Sequence, residues 1–345
     1  MRLLACVSPG ETRVAAWDGI LQDYAIDRPG APDGVGDLHR GRVIARVAAM
    51  AGCFVALQGA EGFLPDSEGA ANEGIVLGVR VTRAAQGGKG PRLSARLTPE
   101  EQTLVGTGSP ALLRRGPSAL ARLAARYPEA PISSAASFDD EVEEAIDSLS
   151  ASSVALAPGV VAHVFPTPAL TAIDIDLVAN RGAKAATQAA ANRALLPALA
   201  RQIRLRNLSG AILVDLAGMA LRKRAALGPE FVKALAADPL APRFLGFSGL
   251  GLAEILRPRI HPPLHELLAT PHAAGLAALR ALAREVAATP HRAPVLYATT
   301  AIIESLRADA VALQDLAERA GRPATLVSHH ALAEFGWSIE DPTRG

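Results

Sequence analysis

The sequence predicts a multi-domain α/β fold, and three observations carry that reading. With 345 residues, half of them apolar, the chain is long enough for two or more cores. Over residues 170–219 two strand-like runs bracket a helical segment, as in a βαβ unit. Over residues 36–93 short apolar runs separated by turns are spaced like the strands of a five-stranded oligonucleotide-binding barrel.

In chain order, residues 1–34 alternate apolar runs with turn signals at Ser8-Pro9-Gly10, Asp18-Gly19 and Arg28-Pro29-Gly30, the pattern of hairpins. The barrel runs follow at 36–47, 52–57, 61–65 and 76–83, closing through the Gly87-Gly88-Lys89-Gly90 loop. No Ser or Thr follows Lys89 and no helical pattern begins there, so this loop is not a P-loop. Residues 98–131 are rich in Gly, Pro and Arg, and Arg114-Arg115 reads as a solvated turn. Ser137 followed by Asp139, Asp140 and Glu141 reads as a helix start. Pro158, His163, Pro166 and Pro168 interrupt the apolar run 154–173, so no membrane helix is expected there. Beyond Met219 a basic amphipathic helix is expected over 221–235, then strand, turn and helix over 244–260. After residue 276 come two apolar helices, at 276–286 and 309–320, with strands near Val295 and Thr325. Cys6 and Cys53 lie in apolar surroundings, and with no leader of signal-peptide form the expectation is a cytoplasmic protein with reduced thiols.

Chemistry is expected in the centre of the chain. Strand side chains alternate, so the run Thr171-Ala172-Ile173-Asp174-Ile175-Asp176 points both carboxylates the same way, and Gly210-Ala211-Ile212-Leu213-Val214-Asp215 delivers a third. These acids lie in runs otherwise fit for burial, where a charge survives only when paired or bound to a metal. Two acid-bearing strands joined by a helix are therefore expected to share a cation. In the helix Leu195, Leu199 and Ile203 recur every four residues, leaving Arg201, Arg204 and Arg206 to face elsewhere. Pro197 signals a kink or a late start, and Asn207-Leu208-Ser209-Gly210 a stop. Net charge is only +1, but residues 35–97 hold eight Lys or Arg against five acids while 301–345 hold four against seven, so a polyanion would favour the front of the molecule.

A specific resemblance follows from these residues. The run from Ala200-Arg201-Gln202-Ile203-Arg204 through Asn207-Leu208-Ser209-Gly210 to Asp215-Leu216-Ala217-Gly218-Met219 resembles the signature of the ribonuclease E/G family of bacterial endoribonucleases, and Asn192 fits the same pattern. The runs holding Gly41, Phe54 and Phe63 resemble the S1 domain that the family carries near its amino terminus. The resemblance implies an S1-type OB barrel at 35–97, inserted in an RNase H-like subdomain made of 1–34 and 136–169. It implies a shortened linker at 98–135 where longer members hold a 5′-monophosphate sensor, a DNase I-like catalytic domain at 170–275, and a small carboxy-terminal α/β domain at 276–345.

By the same resemblance Asp174 and Asp215 hold a catalytic Mg²⁺ or Mn²⁺, with Asp176 standing where the family commonly has asparagine. The implied activity is hydrolysis of single-stranded RNA to 5′-phosphate and 3′-hydroxyl ends. Phe54, Phe63 and Lys89 match positions that line the RNA channel, although as residue types both phenylalanines fit a core equally well. Arg201 and Arg206 are candidate phosphate anchors, and Asn192 joins the RNA-binding set. The chain departs from the family at Gly218, which replaces the second acid of an Asp-x-x-Asp-Met box, and at Gly249, which replaces an arginine. Thr270-Pro271-His272-Ala273 stands in place of a Cys-Pro-x-Cys zinc link, and Pro262 and Pro263 break any helical presentation of His261, His265 and His272. Zinc is therefore not expected, and a homodimer would form without a shared metal. The alternative to an enzyme is a non-catalytic S1-domain RNA-binding protein of the same descent; a DNA nuclease is a further one.

Overall fold

The computed structural model describes residues 1–177, 185–216 and 218–341. They form two compact units, one of Met1–Pro32, Ser118–Ala151 and Leu264–Gly345, the other of Asp33–Pro117 and Ser152–Pro263.

The second unit begins with a closed five-stranded barrel. Gly52–Ala56, Glu61–Pro65, Arg92–Ser94, Val76–Arg83 and Leu38–Val47 pair in that order, and the last returns to pair with the first. Alternation turns Val43, Val55, Leu64, Val79 and Leu93 into a common core, an arrangement compatible with an OB-type barrel. The loop after Val76–Arg83 is pinched by a bridge between Gln86 and Lys89, with Gly87 and Gly88 at φ 57° and 72°. Two successive positive φ values suit the hairpin turns whose twist matches the strands, and they leave Lys89 exposed at the tip.

Residues 98–117 fold onto this barrel. Thr98 and Glu101 cap the helix Pro99–Val105 reciprocally, and Ala111–Arg114 pairs with Leu38–Val47. Arg114 and Arg115 are solvent-exposed as expected, but Arg114 ends a strand instead of lying in a turn, and both are paired: Arg114 bonds Glu101 at 2.5 Å and Arg115 bonds Asp37 at 2.8 Å. Both acids are distant in sequence, so no local pattern announces the pairs. The Thr98 backbone N–H, then Arg80 and Arg114, hold the Glu101 carboxyl below its usual range. Its contribution to stability is present above the ordinary carboxylate pKa and is lost as pH falls through the lower folded-state value.

The rest of this unit is a six-stranded sheet, in the order Ser153–Ala157, Val160–Pro166, Leu170–Leu177, Gly210–Asp215, Ala253–Arg257, Arg243–Phe247. Leu170–Leu177 and Gly210–Asp215 run parallel with the helix Ala185–Leu205 between them, the βαβ arrangement expected. Leu195, Leu199 and Ile203 pack on Ile173, Ile175, Ile212 and Val214. Two expectations are corrected here. Pro197 lies inside the helix Ala185–Leu205, so of the two readings, a kink or a late start, the late start is overturned. Residues 253–257 form a strand, not a helix: Ala253, Ile255 and Arg257 are buried, and the ladder to Gly210–Asp215 fixes a period of two.

The turn that delivers Gly210–Asp215 is conformationally demanding. Asn207 takes φ 48° and Gly210 φ 80°, and a Cβ at Gly210 would stand 2.5 Å from Arg259 Nη2. Gly210→Ala is therefore expected to destabilise the protein by about 1–3 kcal/mol. Urea denaturation checks this, and an unchanged midpoint would show that the turn relaxes freely.

In the first unit Ile132–Ala135, Arg2–Ser8, Glu11–Trp17 and Leu21–Asp27 form one sheet in that order. Glu11 is buried between Arg28 and Arg280, each at 2.9 Å. Asp139, not Ser137, occupies the N-cap of the helix Asp140–Asp147, and the acid run supplies Glu143 to Arg13 at 2.7 Å. Residues 264–341 place the helices Pro271–Ala288, Thr300–Ala308 and Ala310–Ala320 beside a sheet of Thr325–Ser328, Val295–Ala298 and Trp337–Glu340. The helix Thr300–Ala308 and the strand Trp337–Glu340 were not expected from sequence. Among the described residues no helix is long and apolar enough to cross a membrane.

Candidate active site

Asp174 and Asp215 are register partners across the two parallel strands of the six-stranded sheet. The expectation that these acids are buried is corrected. Ile173, Ile175, Ile212 and Val214 take the core face, so alternation turns Asp174, Asp176 and Asp215 into solvent. Asp215 is the last residue of its strand, where ligands of parallel sheets gather.

Each acid meets a different environment. Asp215 Oδ1 accepts from Arg224 Nη1 at 2.7 Å. Arg224 is itself buried and aimed by three carbonyls: Met219 O accepts from Nε at 3.0 Å, Leu216 O from Nη2 at 3.0 Å and Gly251 O from Nη1 at 2.8 Å. Asp176 Oδ2 lies 3.3 Å from His163 Nε2, whose Nδ1 is 2.8 Å from Ser153 Oγ. His163 is the register partner of Asp174 and stacks on the exposed Phe165 at 6.5 Å. Asp174 has no ion-pair partner among the described residues. Sequence reasoning missed Arg224 and His163. Nothing local separates Arg224 from Arg222 and Lys223 beside it, since only tertiary burial selects it, whereas His163 shares an alternating strand face with Phe165 and was open to discovery.

Like charges opposite one another in a sheet are unfavourable, and one guanidinium does not balance the Asp174–Asp215 pair. A hard divalent cation would. The donors are carboxylate oxygens, the chemistry of Mg²⁺ or Mn²⁺ sites, and Asp215 Oδ2 is left over from the contact with Arg224. Among the described residues no group of three or more His, Cys, Asp or Glu closes around one point.

The other site residues expected from sequence divide by exposure. Phe54 and Phe63 are register partners with rings 5.6 Å apart, edge to face and half-buried, and Lys89 is exposed. Arg201 is half-buried on its helix, and burial followed by the neighbouring Arg204 pushes its guanidinium down. Asn192 is 0% exposed and Arg206 5%, with Arg206 Nε donating to Gln202 Oε1 at 3.1 Å. These two side chains are buried and not presented to solvent, unlike Lys89. Gly218 is exposed at φ 61°, and Gly249 has open space around it. His261 lies 2.5 Å from Asp33, and His272 2.8 Å from Asp309.

Residues 120–260 match the Ribonuclease E/G family. A ribonuclease E of Nostoc sp. (strain PCC 7120 / SAG 25.82 / UTEX 2576) is 35% identical over 105 residues, which is 30% of this chain and 15% of that protein. The matched stretch is thus a small part of that relative's length. Residues 120–260, which hold the paired strands and the helix between them, are the part of the chain that is similar to the ribonuclease E/G family.

Proposed function

We propose that the protein is a metal-dependent endoribonuclease acting on single-stranded RNA, leaving 5′-phosphate and 3′-hydroxyl ends. The observation that supports it most is the register of Asp174 opposite Asp215, exposed and short of positive charge. In this reading Asp174 and Asp215 hold Mg²⁺ or Mn²⁺, with Asp176 beside them. When bound, the cation lowers the pKa of an attacking water and stabilises the departing 3′ oxygen. Arg224 fixes one oxygen of Asp215 so that the other faces outward. Phe54 and Phe63 stack bases, while Lys89 and Arg201 attract phosphates. The barrel then serves as an S1 module and the six-stranded sheet as a DNase I-like catalytic domain; Ser153–Ala157 and Val160–Pro166 belong to that sheet, which leaves residues 1–34 with 136–151 for an RNase H-like subdomain. A denaturing gel of single-stranded AU-rich RNA, incubated with protein in Mg²⁺ or in EDTA, tests the proposal. Fragments of equal yield in both buffers would defeat metal dependence, and no fragments in either would defeat the enzyme.

The second reading is a binding protein that has lost turnover. Two of its three acids already have a protein partner, Arg224 for Asp215 and His163 for Asp176, so their retention alone does not require a metal. The same gel separates the two readings, since only the enzyme yields fragments.

Residues 98–135 are committed to the barrel edge, to Ala119–Arg126 and to the strand Ile132–Ala135. Too few remain for a 5′-end sensor. Cleavage of substrates with a 5′ monophosphate, triphosphate or hydroxyl is expected to differ by less than about tenfold, or about 1.4 kcal/mol in the barrier. A larger preference for the monophosphate in matched initial rates would count against internal entry.

A further inference from the structure

Away from the acid pair, the second unit concentrates cations that have no acid. Arg83 and Arg92 are register partners on neighbouring barrel strands. Arg259 is brought to them from the end of the six-stranded sheet, because Ala84 N donates to Ile260 O at 2.8 Å and Gln86 Nε2 to the same oxygen at 3.3 Å. The Arg259 guanidinium lies over Gly210, where the lack of a Cβ makes room for it. None of the three guanidinia has a carboxylate partner among the described residues, and Arg83 Nε is buried with no hydrogen-bond partner. Burial pushes the Arg83 guanidinium down, and Arg92 and Arg259 push it further.

Such a cluster opposes folding unless it serves a ligand. By contrast, the deeper Arg224 and Arg257 of the same unit each have a carboxylate at 2.7 Å. Position adds a second observation. Arg92 is also the register partner of Phe63, which is the partner of Phe54. Across adjoining strands the order is Phe54, Phe63, Arg92, Arg83, with Arg259 beyond.

We propose that Arg83, Arg92 and Arg259 form a phosphate-binding site that extends the phenylalanine pair into a continuous track for the backbone of single-stranded RNA. Guanidinium forks match phosphate oxygens two at a time, and aromatic faces take bases without regard to sequence. The inference rests on the RNA reading above but not on turnover.

The test uses the full chain in EDTA, a labelled single-stranded oligoribonucleotide and fluorescence anisotropy over a salt series. Each phosphate contact on a single strand contributes about 0.7 to the slope of log affinity against log salt. The triple variant Arg83→Gln, Arg92→Gln, Arg259→Gln is expected to lose about 2 from that slope, equally for oligonucleotides of different base sequence. In parallel, inorganic phosphate at constant ionic strength is expected to raise the melting temperature of the parent and not of the triple variant. A slope equal to the parent's overturns the proposal, even where the phosphate effect disappears, since the cluster then takes free anions only. If the triple variant does not fold, Arg92→Gln alone decides, because Arg92 is exposed; a slope lower by about 0.7 supports the track and an unchanged one overturns it. Binding with the expected slopes but no cleavage in Mg²⁺ would keep this inference and remove the endoribonuclease.

Discussion

The double variant Asp174→Asn, Asp215→Asn is expected to lose RNA turnover by about 10² or more, while RNA binding in EDTA persists. Asparagine keeps the size and much of the hydrogen bonding of aspartate but removes the charge that would hold a divalent cation. The two single variants should part company in stability, because the acids differ in their partners. Asp174 faces Asp215 and has no cation of its own among the described residues, so Asp174→Asn relieves repulsion and should leave the melting temperature in metal-free buffer unchanged or higher. Asp215→Asn leaves the buried Arg224 with a neutral acceptor. Since the Asp215 side chain is 52% exposed, that loss should stay near or below about 1 kcal/mol. A double variant that cuts RNA at the parental rate would place the metal site elsewhere. Opposite stability shifts in the two singles would show that the pair is electrically unbalanced in the free protein.

The helix and its stop were legible because their determinants are local. Leu195, Leu199 and Ile203 repeat on one helical face, and Asn207 and Gly210 supply the positive φ values that end it. The same holds for the barrel strands and for the alternation that puts Asp174 and Asp176 on one side. Which side was misjudged, since a run of parallel-strand type suggests cover on both faces whereas these acids face solvent. The segment 253–257 was misassigned because its charged ends suit a helix face as well as a strand, and only the ladder to Gly210–Asp215 decides. Arg224 and the pairs of Arg114 and Arg115 were invisible for another reason: their partners are chosen by the folded arrangement and not by spacing in the chain.

Arg257→Met is expected to destabilise the protein by about 3–5 kcal/mol, a fall in melting temperature on the order of 10 °C. Arg257 and Asp238 are each 3% exposed at the side chain and lie 2.7 Å apart, so removing the cation strands a carboxylate in the interior. Arg257 Nη1 also donates to Asn207 Oδ1 at 2.6 Å and to Leu208 O at 3.1 Å, while Asn207 Nδ2 donates to His261 O and Pro262 O, each at 2.9 Å. One guanidinium thus ties the helix end, the left-handed turn and the following strands together, and it does so directly upstream of Asp215. Asp238→Leu should cost a similar amount, because it strands the cation instead. The combined variant Arg257→Met, Asp238→Leu should recover most of the loss, since two well-packed apolar groups replace a pair whose attraction roughly offsets its desolvation. What it fails to recover measures the contacts with Asn207 and Leu208. If the double variant is as unstable as the sum of the singles, the two residues are not coupled and the turn, not the ion pair, sets the stability. If it recovers stability but still cleaves RNA poorly, Arg257 also positions Asp215 opposite Asp174, through the turn at Asn207.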